Sequence, residues 1–263
     1  MKSDREFYED YYPSEEVYWQ GIYWDVGAWC TRKAVRDKIT RTSGFLLDLG
    51  AGLGTSLVDI SGFRKVGLEY ALSTIMKALR HRDSETQFVN GDAQHLPFAS
   101  ESFEVIISQH VLEHIPDDQQ VVDECYRVLK SRGGELIFFV PGSLTGEVSQ
   151  RSFEKNRHLR HYNAARFREL FGRYDDFTIE EIYLVHRAHN LIWNRIKRLF
   201  PYPNFLVKKL TGDNKSYFER QVYRTVILPF FVTILDFLDS KLHAKENLLP
   251  GLNYNVLVRC VKQ

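Results

Sequence analysis

Phe45-Leu46-Leu47-Asp48-Leu49-Gly50-Ala51-Gly52-Leu53-Gly54-Thr55 is the stretch that decides the fold. A short apolar run stops abruptly in glycines, as a buried parallel strand does when it meets a tight turn. Glycines there let the main chain bend sharply and let a ligand approach the backbone closely. Two phosphate-binding patterns compete for this turn, and both fail. A P-loop needs Lys after its last Gly, where Thr55-Ser56 stands instead. A dinucleotide loop needs G-x-G-x-x-G, and here the third Gly comes one residue early. Asp48, two residues before the first Gly, would also oppose a pyrophosphate bound at the next helix N-terminus.

Working outward, strands alternate with helices. Lys65-Val66-Gly67-Leu68-Glu69 reads as a second strand, followed by a helix over 71–80 with Ile75, Met76 and Leu79 at helical spacing. Gln87–Asn90 and Phe103–Ile107 read as the third and fourth strands. A helix starts after Pro116, carries Val121, Val122, Cys125, Val128 and Leu129 as its stripe, and stops at Gly133-Gly134. Glu135–Val140 is a fifth strand, and Asn253–Val261 alternates as the last, with Asn255, Leu257 and Arg259 on one side. This order predicts an α/β fold with a doubly wound, mostly parallel seven-stranded sheet. Residues 1–43, rich in Tyr and Trp, are expected to be a helical cap, with a lid over a ligand as the alternative. Residues 44–184 are expected to be the core, 185–251 a helical insertion, and 252–263 the returning last strand.

Composition narrows the function classes. The chain has 263 residues, 44% of them hydrophobic and 26% charged, with a formal net charge of +1. At roughly 150 residues per domain that suggests one to two domains, and the near-zero charge disfavours nucleic acid as the partner of the whole chain. The 3 cysteines show no C-x-x-C or Cys/His ligand spacing, so no metal site and a reducing compartment are expected. With no apolar leader over Met1–Asp10 and no apolar run of ~18 residues, a cytoplasmic protein is expected.

Three carboxylates then fall at the carboxyl ends of three successive strands. Asp48 precedes the glycines. Glu69 lies 19 positions beyond Gly50, near the ~20 at which a carboxylate accepts ribose hydroxyls. Asp92, with Ala93, follows the third strand, where an adenine amino group can donate. A ligand with ribose, adenine, an ammonium and a sulfonium but no phosphate suits this set, and S-adenosylmethionine is such a ligand.

Leu46–Gly54 resembles the first motif of class I S-adenosylmethionine-dependent methyltransferases. Gly91–Phe98 with Ser102–Ile106 resembles their next motifs. Val111-Leu112-Glu113-His114-Ile115-Pro116-Asp117 and Arg127–Lys130 resemble the type 11 subgroup that includes ubiquinone- and menaquinone-pathway enzymes. The resemblance implies a Rossmann-like methyltransferase fold with S-adenosylmethionine as cofactor and S-adenosylhomocysteine as product. It implies that Asp48, Gly50, Ala51, Gly52 and Gly54 hold the methionine end. Glu69 would take the ribose, and Asp92 with Ala93 the adenine. Ser108, Gln109 and His110 would wall the methyl-transfer side, with Leu112, Glu113 and His114 structural.

His110, His158 and His161 are the candidate bases, because a hydroxyl acceptor must lose a proton. The expected acceptor is a small or lipid-linked metabolite. An RNA or protein methyltransferase, and a silent cofactor-binding subunit, are the alternatives. From Ile182 to Gly212 there is no acid, while Arg187, Arg195, Lys197, Arg198, Lys208 and Lys209 are present. Followed by the apolar 226–235, this predicts a sheet cover or homodimer face, or else peripheral contact of 187–235 with the inner face of an anionic membrane, with an RNA-binding face as the third alternative.

Overall fold

The computed structural model describes residues 9, 26–80, 82–143, 145–185, 233, 234, 237 and 254–263. Seven strands lie in the order β3-β2-β1-β4-β5-β7-β6. They are β1 Gly44–Leu49, β2 Phe63–Glu69, β3 Thr86–Asn90, β4 Val105–Gln109, β5 Gly134–Gly142, β6 Phe177–Val185 and β7 Tyr254–Lys262. Helices α1 Val26–Arg36, α2 Leu72–Ala78, α3 Asp118–Val128, α4 Gln150–Asn156 and α5 Ala164–Phe171 connect or flank them. Strands β1 to β5 pair in parallel, and β7 runs antiparallel between β5 and β6. The doubly wound, mostly parallel sheet expected from the sequence is present. Successive strands leave β1 on opposite sides, so β1 and β4 flank the switch point where open sheets of this kind bind ligands.

Strand alternation divides the core between the two faces of the sheet. Leu47 and Leu49 of β1 pack with Val121, Val122 and Cys125 of α3 and with Phe167 and Leu170 of α5. Leu46 packs on the other face with Val35 of α1, Ile107, Phe139 and Leu257. Burial on both faces is why these strands read as continuous apolar runs. α3 starts at an N-cap, where the Asp117 side chain accepts from Gln120 N. Its first residue, Asp118, is buried and ion-paired with Arg166 at 2.6 Å.

Several expected boundaries move. β4 spans Val105–Gln109 rather than 103–107, because Phe103 leaves the ladder to bridge Leu129 and packs edge-on against Phe98. That bridge also ends α3 at Val128, well before the glycines: Leu129 turns extended to meet Phe103. In β7 Leu257 and Arg259, on the side opposite Val256, Val258 and Cys260, are buried as well. Leu257 joins the core, and Arg259 is held by Glu135 at 3.2 Å. Of the expected cap 1–43, the described part shows α1 seating Val35 in the core. Most of the expected insertion 185–251 lies outside the described residues. Val185, at the end of β6, pairs with Asn255 of β7 at the sheet edge.

Candidate functional site

The turn after β1 is built from angles that side chains resist. Gly50, Gly52 and Gly54 have φ of 72°, 54° and 77°. At Gly50 an added Cβ would stand 2.3 Å from Val111 Cγ2, so the position needs glycine for its angle and for its contact. Gly50 and Ala51 both donate their N–H to Leu68 O at 2.9 Å, tying the turn to β2. Glu69, the last residue of β2, accepts from Gly52 N and from Ala71 N, each at 2.9 Å. Burial pushes the Glu69 carboxyl upward, with these N–H groups working against it. Beneath the turn, the buried Lys65 ammonium donates to Leu57 O and Ile60 O at 3.1 Å and pairs with Asp83 at 2.5 Å. The Thr55–Leu57 turn that continues the glycine loop is therefore fixed from below.

Asp48 is buried, and its Oδ2 has no hydrogen-bond partner among the described residues. Burial, with the Glu69 charge adding to it, pushes its carboxyl up to about 7. A buried carboxyl left in this state is a seat for a cationic group, which would replace the lost water. Asp92, just past β3, accepts from Gln94 N at 2.8 Å, and Ala93 is buried beside it. The strand order places the ends of β1, β2 and β3 side by side, so the three carboxylates line one edge of the crevice.

The end of β4 supplies the opposite wall, though less directly than expected. Ser108 is buried and donates its hydroxyl to Leu49 O at 3.1 Å, and the Gln109 amide donates to Ser56 Oγ at 2.9 Å. Ser108 thus ties β4 to the end of β1, and Gln109 ties it to the turn that follows the glycines. His110 stands at the exposed end, with its N–H on Phe139 O at 2.8 Å and its ring edge-on to Phe139. Its φ of 56° is left-handed. A bulky residue held there stores backbone strain of a kind that clusters at functional sites.

The structure separates the three candidate bases. The His110 side chain is 44% exposed, whereas those of His158 and His161 are largely buried. Leu159 N donates to Glu113 O and Tyr162 N to Pro141 O, drawing this segment down onto the sheet. His158 and His161 face each other at 3.2 Å, and Ser152 Oγ reaches both rings. Burial, opposed by the nearby Glu113, pushes His158 down to about 4. Glu113, expected to be structural, lies at the centre of this group with no exposure. The sequence signal was weak: an acid flanked by His110 and His114, with its other neighbour 45 residues away.

Residues 47–138 match the family described as a methyltransferase domain. A protein of Mycolicibacterium smegmatis named "probable S-adenosylmethionine-dependent methyltransferase" is 31% identical over 121 residues, covering 46% of this chain and 46% of that protein. Over a methyltransferase domain at residues 47–138, this chain is similar to S-adenosylmethionine-dependent methyltransferases. The demethylmenaquinone methyltransferase of Lactobacillus johnsonii is 33% identical over 113 residues, covering 39% of this chain and 46% of the relative. The chain thus matches about half the length of these curated relatives. Phosphoethanolamine N-methyltransferase 2 of Haemonchus contortus, in complex with S-adenosyl-L-methionine, shares the fold with a TM-score of 0.67 at 18% identity. That superposition covers 100% of this chain and 60% of the nematode protein. The donor set fits S-adenosylmethionine: a glycine turn open to close approach and a buried carboxyl whose Oδ2 has no partner among the described residues.

Proposed function

We propose that the chain transfers a methyl group from S-adenosylmethionine to a small-molecule or lipid-linked acceptor. The observation that carries this reading is Asp48, buried and lacking a partner for Oδ2 among the described residues, at the switch point of the sheet. Asp48 takes the cofactor's ammonium, Glu69 its ribose hydroxyls, and Asp92 with the Ala93 backbone its adenine. When bound, S-adenosylmethionine supplies a methyl group on a positively charged sulfur, open to in-line displacement.

The chain's contribution is then placement and exclusion of water. Ser108 and Gln109 tie the end of β4 to β1 and to the turn that follows the glycines, which keeps the acceptor side rigid. His110 Nδ1 lies 3.4 Å from Glu113 Oε1, leaving Nε2 to receive a proton from an acceptor hydroxyl. His158 and His161 act behind this surface, not at the acceptor.

Relatives named for demethylmenaquinone and for phosphoethanolamine support a small-molecule or lipid-linked acceptor in this proposal. Among the described residues no helix is long and apolar enough to cross a membrane. The basic stretch 187–235, nearly all of it outside the described residues, serves in this proposal as a peripheral contact with the cytoplasmic face. The test supplies methyl-labelled cofactor with separated extracts of lipids, small metabolites, RNA and protein. Label in the lipid or metabolite fraction is expected, with a large loss of turnover in His110→Ala. Label confined to RNA or protein would overturn the acceptor class. No transfer by a chain that binds S-adenosylhomocysteine would leave the silent-subunit alternative standing.

A further inference from the structure

Four carboxylates among the described residues are almost wholly buried: Asp48, Glu113, Asp118 and Glu135. Asp118 is held by Arg166 and by the Tyr162 hydroxyl, and Glu135 by Arg259 and the Thr40 N–H. Asp48 belongs to the cofactor crevice. Glu113 is the exception. Neither of its oxygens accepts a hydrogen bond among the described residues, and none of their lysines or arginines pairs with it.

Imidazole nitrogens face it instead. From Glu113 Oε1, His114 Nε2 is at 3.8 Å, His158 Nε2 at 3.9 Å and His110 Nδ1 at 3.4 Å. One donor atom each from Glu113, His114 and His158 lies within 4.8 Å of the other two. A carboxylate removed from water is stable when hydrogen-bonded, paired or coordinated to a metal ion. Among the described residues the first two means reduce to the 3.4 Å contact with His110 Nδ1 at Oε1, which leaves Oε2 with neither, while the third has its ligands in place.

We propose that Glu113, His114 and His158 bind a divalent transition-metal ion of the zinc class, fastening the Leu112–His114 turn to the 157–161 segment. One carboxylate oxygen with two imidazole nitrogens suits such an ion, whereas magnesium and calcium take oxygen ligands. The surroundings support the ligand roles. His158 Nδ1 is engaged by Ser152 Oγ at 3.0 Å and by His161 Nε2 at 3.2 Å, which leaves Nε2 on the Glu113 side. Partners of this kind on the far nitrogen orient ligating histidines. The two segments already meet through Leu159 N on Glu113 O at 2.8 Å and the Arg160 guanidinium on Ile115 O and Pro116 O. His110, at the rim, keeps its contact with the carboxylate and is not needed as a ligand.

Because Glu113 also touches His110, the base of the proposed function, the test of this site does not use turnover. Chelator-stripped protein is titrated with Co2+, followed by visible absorption, and then with Zn2+. The expected result is one equivalent of Co2+ with visible bands of a nitrogen–oxygen site, displaced by Zn2+, and a higher melting temperature with Zn2+. Mg2+ should change neither. Glu113→Gln and His158→Gln should each weaken Co2+ binding at least tenfold, while His95→Gln, at an exposed position, should not. S-adenosylhomocysteine binding by the variants verifies their fold. Absence of a stoichiometric Co2+ spectrum in the unaltered protein overturns the proposal whatever the variants do. Equal binding by both ligand variants overturns it too. Failure of S-adenosylhomocysteine to bind the unaltered protein counts against the methyltransferase reading alone.

Discussion

Replacing Asp48 with asparagine should stabilise the ligand-free protein at neutral and alkaline pH while weakening cofactor binding. Burial, reinforced by the Glu69 charge, raises the Asp48 carboxyl from 3.8 to about 7 in the folded chain. That rise of about three units corresponds to about 4 kcal/mol held against the ionised form, at 1.36 kcal/mol per unit. The sign follows from proton counts. Between the two values the folded state binds more protons than the unfolded state, so stability falls as pH rises, and the loss is complete above about 7. The asparagine side chain has no proton to lose. From pH 5.5 to 8 the stability difference should therefore move by about 2 kcal/mol in favour of Asp48→Asn, the share of the titration lying in that window. Urea denaturation of both proteins at about pH 5.5, 6.5, 7.2 and 8, without ligand, reads this directly. At pH 8 the same variant should bind S-adenosylhomocysteine at least tenfold more weakly, because an amide cannot pair with its ammonium. A pH-independent difference between the two proteins, or a variant less stable at pH 8, would refute the burial argument.

Other consequences are simpler to read. Glu69→Ala removes the acceptor of Gly52 N and Ala71 N as well as the ribose contact, and should cost roughly 1.5–3 kcal/mol of cofactor affinity by calorimetry. An unchanged affinity would take Glu69 out of the site. Asp118→Ala breaks the buried link between α3, Arg166 and Tyr162. Loss of one partner of a buried pair costs ~3–5 kcal/mol, but Arg166 is a third exposed and can turn to water, so about 2 kcal/mol is expected in urea melts. A loss under about 0.5 kcal/mol, the range of ordinary surface changes, would contradict the network's role. For the stretch 187–235, co-sedimentation with anionic but not neutral liposomes is expected, weakening as salt rises, since each basic residue is worth about 1 kcal/mol at such a surface. Changing Arg195, Lys197, Arg198, Lys208 and Lys209 to Gln should abolish it, and binding indifferent to lipid charge would argue against the basic stretch.

What the sequence made legible followed local chemistry. The glycine turn, the carboxylates after β1, β2 and β3, and the alternation of strand and helix are each written within a short span of neighbouring residues. The strand order then brings those carboxylates to one edge. Boundaries failed where tertiary contact overrode local pattern: Phe103 has the apolar character of a strand residue, but its place beside Phe98 and Leu129 is decided by packing. Arg259 and Asp118 look like solvent-facing charges until their partners Glu135 and Arg166 arrive from elsewhere in the chain. The cluster around Glu113 was the least legible, since His158 comes from the loop after α4 and no spacing rule links it to the Leu112–His114 turn. Ser108 was placed at the right strand end, yet its hydroxyl serves Leu49.

The central claim is that this crevice accepts an adenosyl ligand carrying an ammonium and no phosphate. Isothermal calorimetry of the unaltered chain against S-adenosylhomocysteine and NAD, at about pH 7.5 and in two buffers of different ionisation heat, tests it most directly. The account predicts one S-adenosylhomocysteine per chain, release of part of a proton from Asp48 on binding, and no heat with NAD. Binding of NAD with comparable affinity, or no binding of S-adenosylhomocysteine, would contradict it.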